Sequence, residues 1–356
     1  MLLIAFTITL IIAALLSPLV IRLYKKNAWL DDPEQEKHAK KTHSKPVPRG
    51  GGIVIFAAVL ITSLVFLSFD QYLVAIMLGA ALLAIVGTLD DIYDLHPIIR
   101  LGTGLIAALI VVGSGIGIAY ISNPLDASTV IHLDQPQLSL DLFGSNRTIW
   151  IISDIFALLF ILWNMNIVNW SKGVDGQMPG FVAIALIFIG ILSERFIDDP
   201  AQFNTAMLSF IAAGAFVGFL IWNWYPQKIM PGYGAGSLAG YFLSVLAILS
   251  GAKLATALMV LAIPTADAIF TIVRRVFAGK SPLWGDRGHL HHKLLDVFKW
   301  SPRQISIFYW SSSLILGMLS LYLNTLGKLI TIVLTISIVF GVLIWAKFLS
   351  LKKVTL

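Results

Sequence analysis

Three carboxylates fall within five residues in Asp90-Asp91-Ile92-Tyr93-Asp94. On a helix Asp90 and Asp94 share a face, while Asp91 points about 100° away. With no base among them they repel one another, and a cation or a raised pKa must relieve that. Mg²⁺ carrying a pyrophosphate suits such a cluster. A second concentration, Asn164, Asn166, Asn169, Lys172, Gly173, Asp175 and Gly176, joins turn formers to one cation and one carboxylate. A third, Asp286-Arg287-Gly288-His289-Leu290-His291-His292, has the residue types to bind a metal or to clamp a phosphate or sugar. The fourth runs Lys40-Lys41-Thr42-His43-Ser44-Lys45-Pro46-Val47-Pro48-Arg49-Gly50-Gly51-Gly52. Its bases can meet phosphate, its prolines hold the chain extended, and its glycines admit close backbone approach.

Each group has a plainer reading. The basic loop taken alone reads as charge attracted to anionic lipid. The asparagine loop reads as ordinary turns. Asp267, seven residues before Arg274 and inside an apolar run, reads either as a functional carboxylate or as a structural partner of Arg274 or Arg275. The acidic cluster is harder to dismiss, because it opposes the basic trend of its own side of the membrane.

The elements that must position these groups are membrane spans. Of 356 residues, 58% are hydrophobic and 12% charged, and the mean hydropathy is +0.86. Lipid must be the solvent for most of that surface. Eleven spans are expected, at 2–21, 51–69, 72–89, 98–121, 149–165, 180–193, 204–222, 237–250, 254–273, 304–323 and 328–347. Residues 180–193 and 237–250 are short for a crossing. The first span lacks a basic leader and a cleavage site, so it reads as a retained helix. Of the 25 Lys and Arg, 21 fall on one side; Arg147, Arg195, Lys253 and Lys328 fall on the other. The positive-inside rule then sets the N-terminus outside and the C-terminus with all four groups in the cytoplasm. The long outer loop 122–148 reads as one β-hairpin, Val130–Leu133 against Leu138–Leu142 with Asp134–Gln137 as the turn. The chain reads as a single all-α polytopic domain, 1–356. With no cysteine it has no disulfide, thiolate metal site or cysteine nucleophile. The net charge of +6 belongs to the inner loops, and nucleic acid is not an expected partner.

Together the four groups resemble the polyprenyl-phosphate N-acetylhexosamine-1-phosphate transferase family, in order from Lys41 to His292. The patterns are Lys41-Thr42-His43 with Pro46-Val47-Pro48-Arg49-Gly50-Gly51-Gly52, Leu89 to Asp94, Asn166-x-x-Asn169 with Gly173-Val174-Asp175-Gly176, Gly236-Ser237-Leu238, and the histidine segment. The resemblance implies about eleven helices around a cleft on the cytoplasmic face of the cell (inner) membrane. It implies that a polyprenyl (undecaprenyl) phosphate attacks at the β-phosphate of a UDP-N-acetylhexosamine, releasing UMP and starting a lipid-linked envelope glycan. It implies Mg²⁺, and dimers occur in the family. The histidine segment is closer to the UDP-GlcNAc branch than to the branch with three consecutive histidines. By position, Asp90 and Asp91 would bind metal or activate the lipid phosphate, and Asn169 and Asp175 would contact nucleotide or metal. Asn166 would face substrate and Asp267 would line the same site. Arg287, His289, His291 and His292 would hold pyrophosphate and sugar, and Lys41 and His43 would approach the nucleotide-sugar.

Two positions depart from the family pattern. Lys172 stands where the first Asp of Asp-Gly-x-Asp-Gly is expected, and Gly234 where the Asp of Gly-Asp-x-Gly-Ser is expected. Losing either carboxylate weakens a Mg²⁺ site. One hypothesis is that the Lys172 ammonium supplies the charge that Mg²⁺ supplies elsewhere, which gives Lys172 a catalytic place. The alternative is a chain that binds polyprenyl phosphate or nucleotide-sugar without turnover. A transporter is the third reading, but no paired broken spans mark an inverted repeat.

Overall fold

The structure, a computed structural model, describes residues 1–34, 45–126, 128–142, 145–195, 198–250, 254–281 and 287–352. The helices in chain order are α1 (Leu2–Lys26), α2 (Gly51–Phe66), α3 (Gln71–Tyr93), α4 (Pro97–Gly113), α5 (Ile151–Trp170), α6 (Gln177–Glu194), α7 (Pro200–Asn223), α8 (Gly232–Leu249), α9 (Leu254–Val260), α10 (Ala262–Phe277), α11 (Leu290–Asp296), α12 (Pro302–Tyr322) and α13 (Thr325–Lys352). Among the described residues eight are long and apolar enough to cross a membrane, and the pair α9 and α10, bent by 74°, brings the number to nine if it forms one span. The shorter apolar helices α2 and α4 match the remaining two expected spans. The chain is an all-α multi-pass membrane protein.

Three expectations change in detail. The span expected over 98–121 stops at Gly113, and Tyr120–Ser122 is already strand β3. The span expected over 254–273 breaks after Val260. Pro264 has no N–H to give the Val260 carbonyl four residues back, and the Ser313 hydroxyl of α12 takes that carbonyl at 3.2 Å. The outer hairpin is also different. Val130–His132 (β4) pairs with β3, not with the following segment. Gln137–Leu142 (β5) pairs with Ser145–Trp150 (β6). The two strands expected to pair with each other each find a nearer partner, and the outer loop holds two hairpins. On the other face, strands β1 (Leu30–Asp31) and β2 (Val47–Pro48) pair antiparallel.

Small residues set the close helix crossings. On α7, Gly214 and Gly218 lie so near the backbone of α1 at Phe6 and Leu10 that a Cβ at either would overlap a carbonyl. One turn further, the Trp222 indole N–H reaches the Ala14 carbonyl at 2.9 Å. That carbonyl lies four residues before Pro18, so it has lost its own helical donor. Helix α8 is the hub. Its Gly236 and Gly240 sit on α5 at Asn169 and at Asn164 and Met165, while Gly234 lies between Gly52 of α2 and Gly87 of α3. Such spacing lets backbones approach in a lipid-embedded bundle.

Candidate active site

The α3–α8 crossing brings the acidic cluster against the start of α8. Asp90, 4% exposed, accepts from Arg100 Nε at 2.5 Å and from the Leu95 amide at 3.1 Å. Arg100 Nη2 holds Asp94 at 2.5 Å. One guanidinium on the first turns of α4 therefore bridges the two carboxylates that share a face. Asp91 points elsewhere, accepting the Tyr233 amide at 2.8 Å. Gly232 has φ +65°, and a Cβ there would overlap the Asp91 carboxylate, so this turn requires glycine. The Gly232 carbonyl accepts from the Lys172 ammonium. Asp91 and Lys172 thus grip the N–H and C=O of a single peptide unit.

Lys172 is carried by the loop 171–176 between α5 and α6. The Asn223 side-chain carbonyl accepts the Gly176 amide at 3.0 Å. Ser306 Oγ reaches the Asp175 carbonyl at 2.6 Å, and the Trp310 indole reaches the Gly176 carbonyl at 3.0 Å. Gly176 itself is left-handed, φ +75°. Burial pulls the Lys172 pKa down to about 8 against Asp91 and Asp90, which favour its charge. Arg49, bonded to Asp31, and Arg100 lie within electrostatic reach of the same ammonium. The Pro48 carbonyl accepts the Met230 amide at 2.7 Å and the Met230 carbonyl accepts the Gly51 amide at 3.2 Å, which joins the first inner loop to the approach of α8.

Beside this cluster, between α4, α5 and α8, runs a groove. Ile98, Leu101, Gly104, Leu162 and Met165 line its apolar part; Arg100, Asn166, Asn169, Tyr233 and Ser237 line its polar part. Asn166 is tied to its own helix, its Nδ2 on the Leu162 carbonyl at 2.8 Å. Asn169 Oδ1 is buried without a hydrogen-bond partner.

The histidine segment forms the next patch. A Cβ on Gly173 would overlap the His291 ring, so the glycine next to Lys172 admits that imidazole. His289 and His291 stack at 5.6 Å between centroids, and His291 and His292 meet at 4.3 Å. Burial and the neighbouring Arg287 push the His292 pKa down to about 4. Burial and the adjacent His292 lower His291 well below the usual imidazole range. Both stay neutral at physiological pH. Asp267 finds its partners here: Oδ2 is 3.0 Å from His289 Nδ1, and Oδ1 accepts the Leu290 amide at 2.7 Å.

Two expected site residues also have protein partners. The Asp175 carboxylate accepts the Gln227 amide at 3.0 Å, which anchors the loop. Arg287 forms a two-pronged pair with Asp296, at 2.9 and 2.7 Å. Lys41, His43 and Asp286 lie outside the described residues. Arg100 and Tyr233 were not among the expected site residues, and Arg49 was expected only as one of the bases of the first inner loop. Arg100 carried one signal, as the single base of segment 89–100. Nothing in the sequence marked Tyr233, which contributes its amide.

The donor set does not fit the Mg²⁺ that the resemblance implies. That ion needs near-octahedral oxygen donors and gives up water reluctantly. Asp90 is engaged by Arg100, Asp91 by a peptide N–H, and three cations already stand around them. Asn169 Oδ1 is one orphan acceptor, and it is neutral. Among the described residues no group of three or more His, Cys, Asp or Glu is placed to hold a metal. The arrangement sets buried cations beside a groove that is apolar on one part and polar on the other.

Comparison with known proteins agrees with this layout. The sequence profile of glycosyl transferase family 4 matches residues 73–251. The chain is 27% identical over 300 residues to a Bacillus subtilis protein named probable undecaprenyl-phosphate N-acetylglucosaminyl 1-phosphate transferase, covering 82% of this chain and 76% of the relative. It is 26% identical to a Mycolicibacterium smegmatis decaprenyl-phosphate N-acetylglucosaminephosphotransferase, covering 76% and 70%. It is 28% identical to a Geobacillus phospho-N-acetylmuramoyl-pentapeptide-transferase, covering 90% and 95%. The matched stretch holds the acidic cluster, Lys172 and the start of α8, and the chain belongs to glycosyl transferase family 4.

Proposed function

We propose that this protein transfers N-acetylhexosamine-1-phosphate from a UDP-sugar to a polyprenyl phosphate, starting a lipid-linked cell-envelope glycan. The observation that carries the reading is the groove between α4, α5 and α8, apolar on one part and polar on the other, whose Tyr233 shares a peptide unit with the Gly232 carbonyl that Lys172 holds. An amphiphile with a phosphate head matches both parts. The relatives named for undecaprenyl- and decaprenyl-phosphate transfer support the same substrates.

In this reading the lipid phosphate lies at the polar end of the groove, near Arg100 and Asn169. Lys172, with one ammonium proton on the Gly232 carbonyl, offers its others to phosphate oxygens. A phosphate oxygen of the lipid forms a bond to the β-phosphorus of the UDP-sugar. The bond from that phosphorus to the bridging oxygen breaks, and UMP leaves with the electron pair. Phosphoryl transfer of this kind needs positioning and charge stabilisation more than covalent help from the protein. Asp91 and Asp90 hold the cations in place, and the neutral histidines next to Gly173 face the sugar and pyrophosphate.

Transferases of the family are metal-dependent in general. Here the Lys172 ammonium takes that charge, one for two. The N-terminus is outside, the C-terminus and site are cytoplasmic, and the membrane is the inner one. The test is labelled UDP-GlcNAc and undecaprenyl phosphate with the purified protein, with and without EDTA. Lipid-linked label that survives EDTA is the expected result. Label that EDTA abolishes overturns the role of Lys172. Nucleotide-sugar binding without turnover of any UDP-N-acetylhexosamine favours the second reading, a binding protein, which the replacements at Lys172 and Gly234 motivate.

A further inference from the structure

Asp267 sits on α10, 1% exposed, and both of its oxygens are committed to the histidine segment. Oδ1 accepts the Leu290 amide at 2.7 Å. That amide opens α11, whose N-cap residue His289 makes no side-chain cap of its own. Oδ2 lies 3.0 Å from His289 Nδ1, and Thr271 Oγ1, one turn further along α10, is 3.5 Å from the same nitrogen. His289 in turn stacks flat on His291, interplanar angle 6°, which rests on the glycine next to Lys172.

A carboxylate is an acceptor only, so the imidazole nitrogen facing it carries the proton. The other nitrogen is then the one free to accept, because the partner of one ring nitrogen decides the state of the other. We infer that Asp267 is a positioning residue. It does not touch substrate; it holds His289 with the proton on Nδ1 and presents Nε2 to the ligand as an acceptor or base. This rests on the transferase reading, and it changes the expected part of Asp267 from contact with substrate to control of the histidine that makes the contact.

The full-length protein, labelled with ¹⁵N-histidine in detergent, tests it directly. The chain has seven histidines, and the signal lost in H289Q identifies His289. A two-bond ¹H–¹⁵N spectrum should show His289 protonated at Nδ1 in the wild type and altered in D267N, with D267E retaining the wild-type pattern. In the transfer assay D267N should lower kcat by about 100-fold with little change in KM for UDP-GlcNAc, and D267N/H289Q should be no worse than H289Q alone. Each variant must keep the wild-type melting temperature within a few degrees; if D267N does not, the wild-type spectrum, assigned with H289Q, decides the tautomer. A His289 protonated on Nε2 in the wild type, or losses from D267N and H289Q that multiply, overturns the inference. A wild type without turnover overturns the transferase reading, and the spectrum still decides the pair.

Discussion

Lys172 is the residue on which the chemistry turns. It replaces a carboxylate, yet the site around it is balanced: its ammonium and Asp91 hold opposite ends of the Gly232–Tyr233 peptide, and Arg100 neutralises Asp90 and Asp94. Removing the charge with Lys172→Met should weaken binding of the lipid phosphate by about 10- to 100-fold, the loss of one charge-assisted hydrogen bond, read as KM for undecaprenyl phosphate. The pKa of about 8 gives a second test. The ammonium is present below that pH and lost above it, so KM should rise as pH passes about 8. In Lys172→Arg, which stays protonated, the rise should disappear. A wild-type KM flat to pH 9.5 would remove Lys172 from phosphate binding. This much was legible in the sequence because a lysine between Asn169 and Asp175 contrasts with its surroundings. The bond from the Gln227 amide to the Asp175 carboxylate was not legible, because spacing reveals proximity along the chain and not direction. Arg100 was passed over because its partners lie ten and six residues back, beyond one helical face.

At the scale of elements, the site depends on how closely α8 approaches its neighbours. A Cβ at Gly240 would overlap the α5 backbone at Asn164 and Met165, whereas a Cβ at Gly102 on α4 meets nothing within 4 Å. Gly240→Ala should therefore destabilise the protein by about 1–3 kcal/mol, the usual cost of overpacking. Gly102→Ala should leave stability unchanged or slightly raised, since alanine is the better helix former. Thermal denaturation in detergent compares them. Because α5 also carries Asn166 and Asn169 into the groove, Gly240→Ala should lower transfer activity even at temperatures where it remains folded. The helices themselves were readable from apolar runs. The break between α9 and α10 was not, although Pro264 was visible. A proline inside a span can be absorbed, as Pro18 is in α1, when a neighbour bonds the freed carbonyl. Both freed carbonyls have such a donor, Trp222 for Ala14 and Ser313 for Val260, yet only α9–α10 bends. Periodicity along one segment does not encode that difference.

For the whole molecule, the parity of the crossings bears on sidedness. Ten helices cross singly if α2 and α4 span, and the bent α9–α10 pair adds one crossing, so the termini face opposite sides. Helix α2 has 16 residues, about 24 Å at 1.5 Å per residue, short of a hydrocarbon core of about 30 Å. Thinning of the bilayer or flanking polar groups must accommodate it. If the bent pair instead turned back without crossing, the C-terminus would lie with the N-terminus, and residues after Phe277 would face outside. That would separate the histidine segment from Lys172, yet His291 rests on Gly173, so both must share one face. Contact and charge thus agree that the two segments lie on one face. The absence of native cysteine makes the measurement clean. Single cysteines at Asn27 and Lys280, exposed on the face of the site, should resist a membrane-impermeant maleimide in intact cells and react after permeabilisation. Cysteines at Ser128 and Asp199, exposed at the opposite end, should react without it. Labelling of Lys280→Cys but not Asn27→Cys in intact cells would mean the bent pair does not cross, and labelling of both would invert the protein and carry the site out of reach of a cytoplasmic nucleotide-sugar.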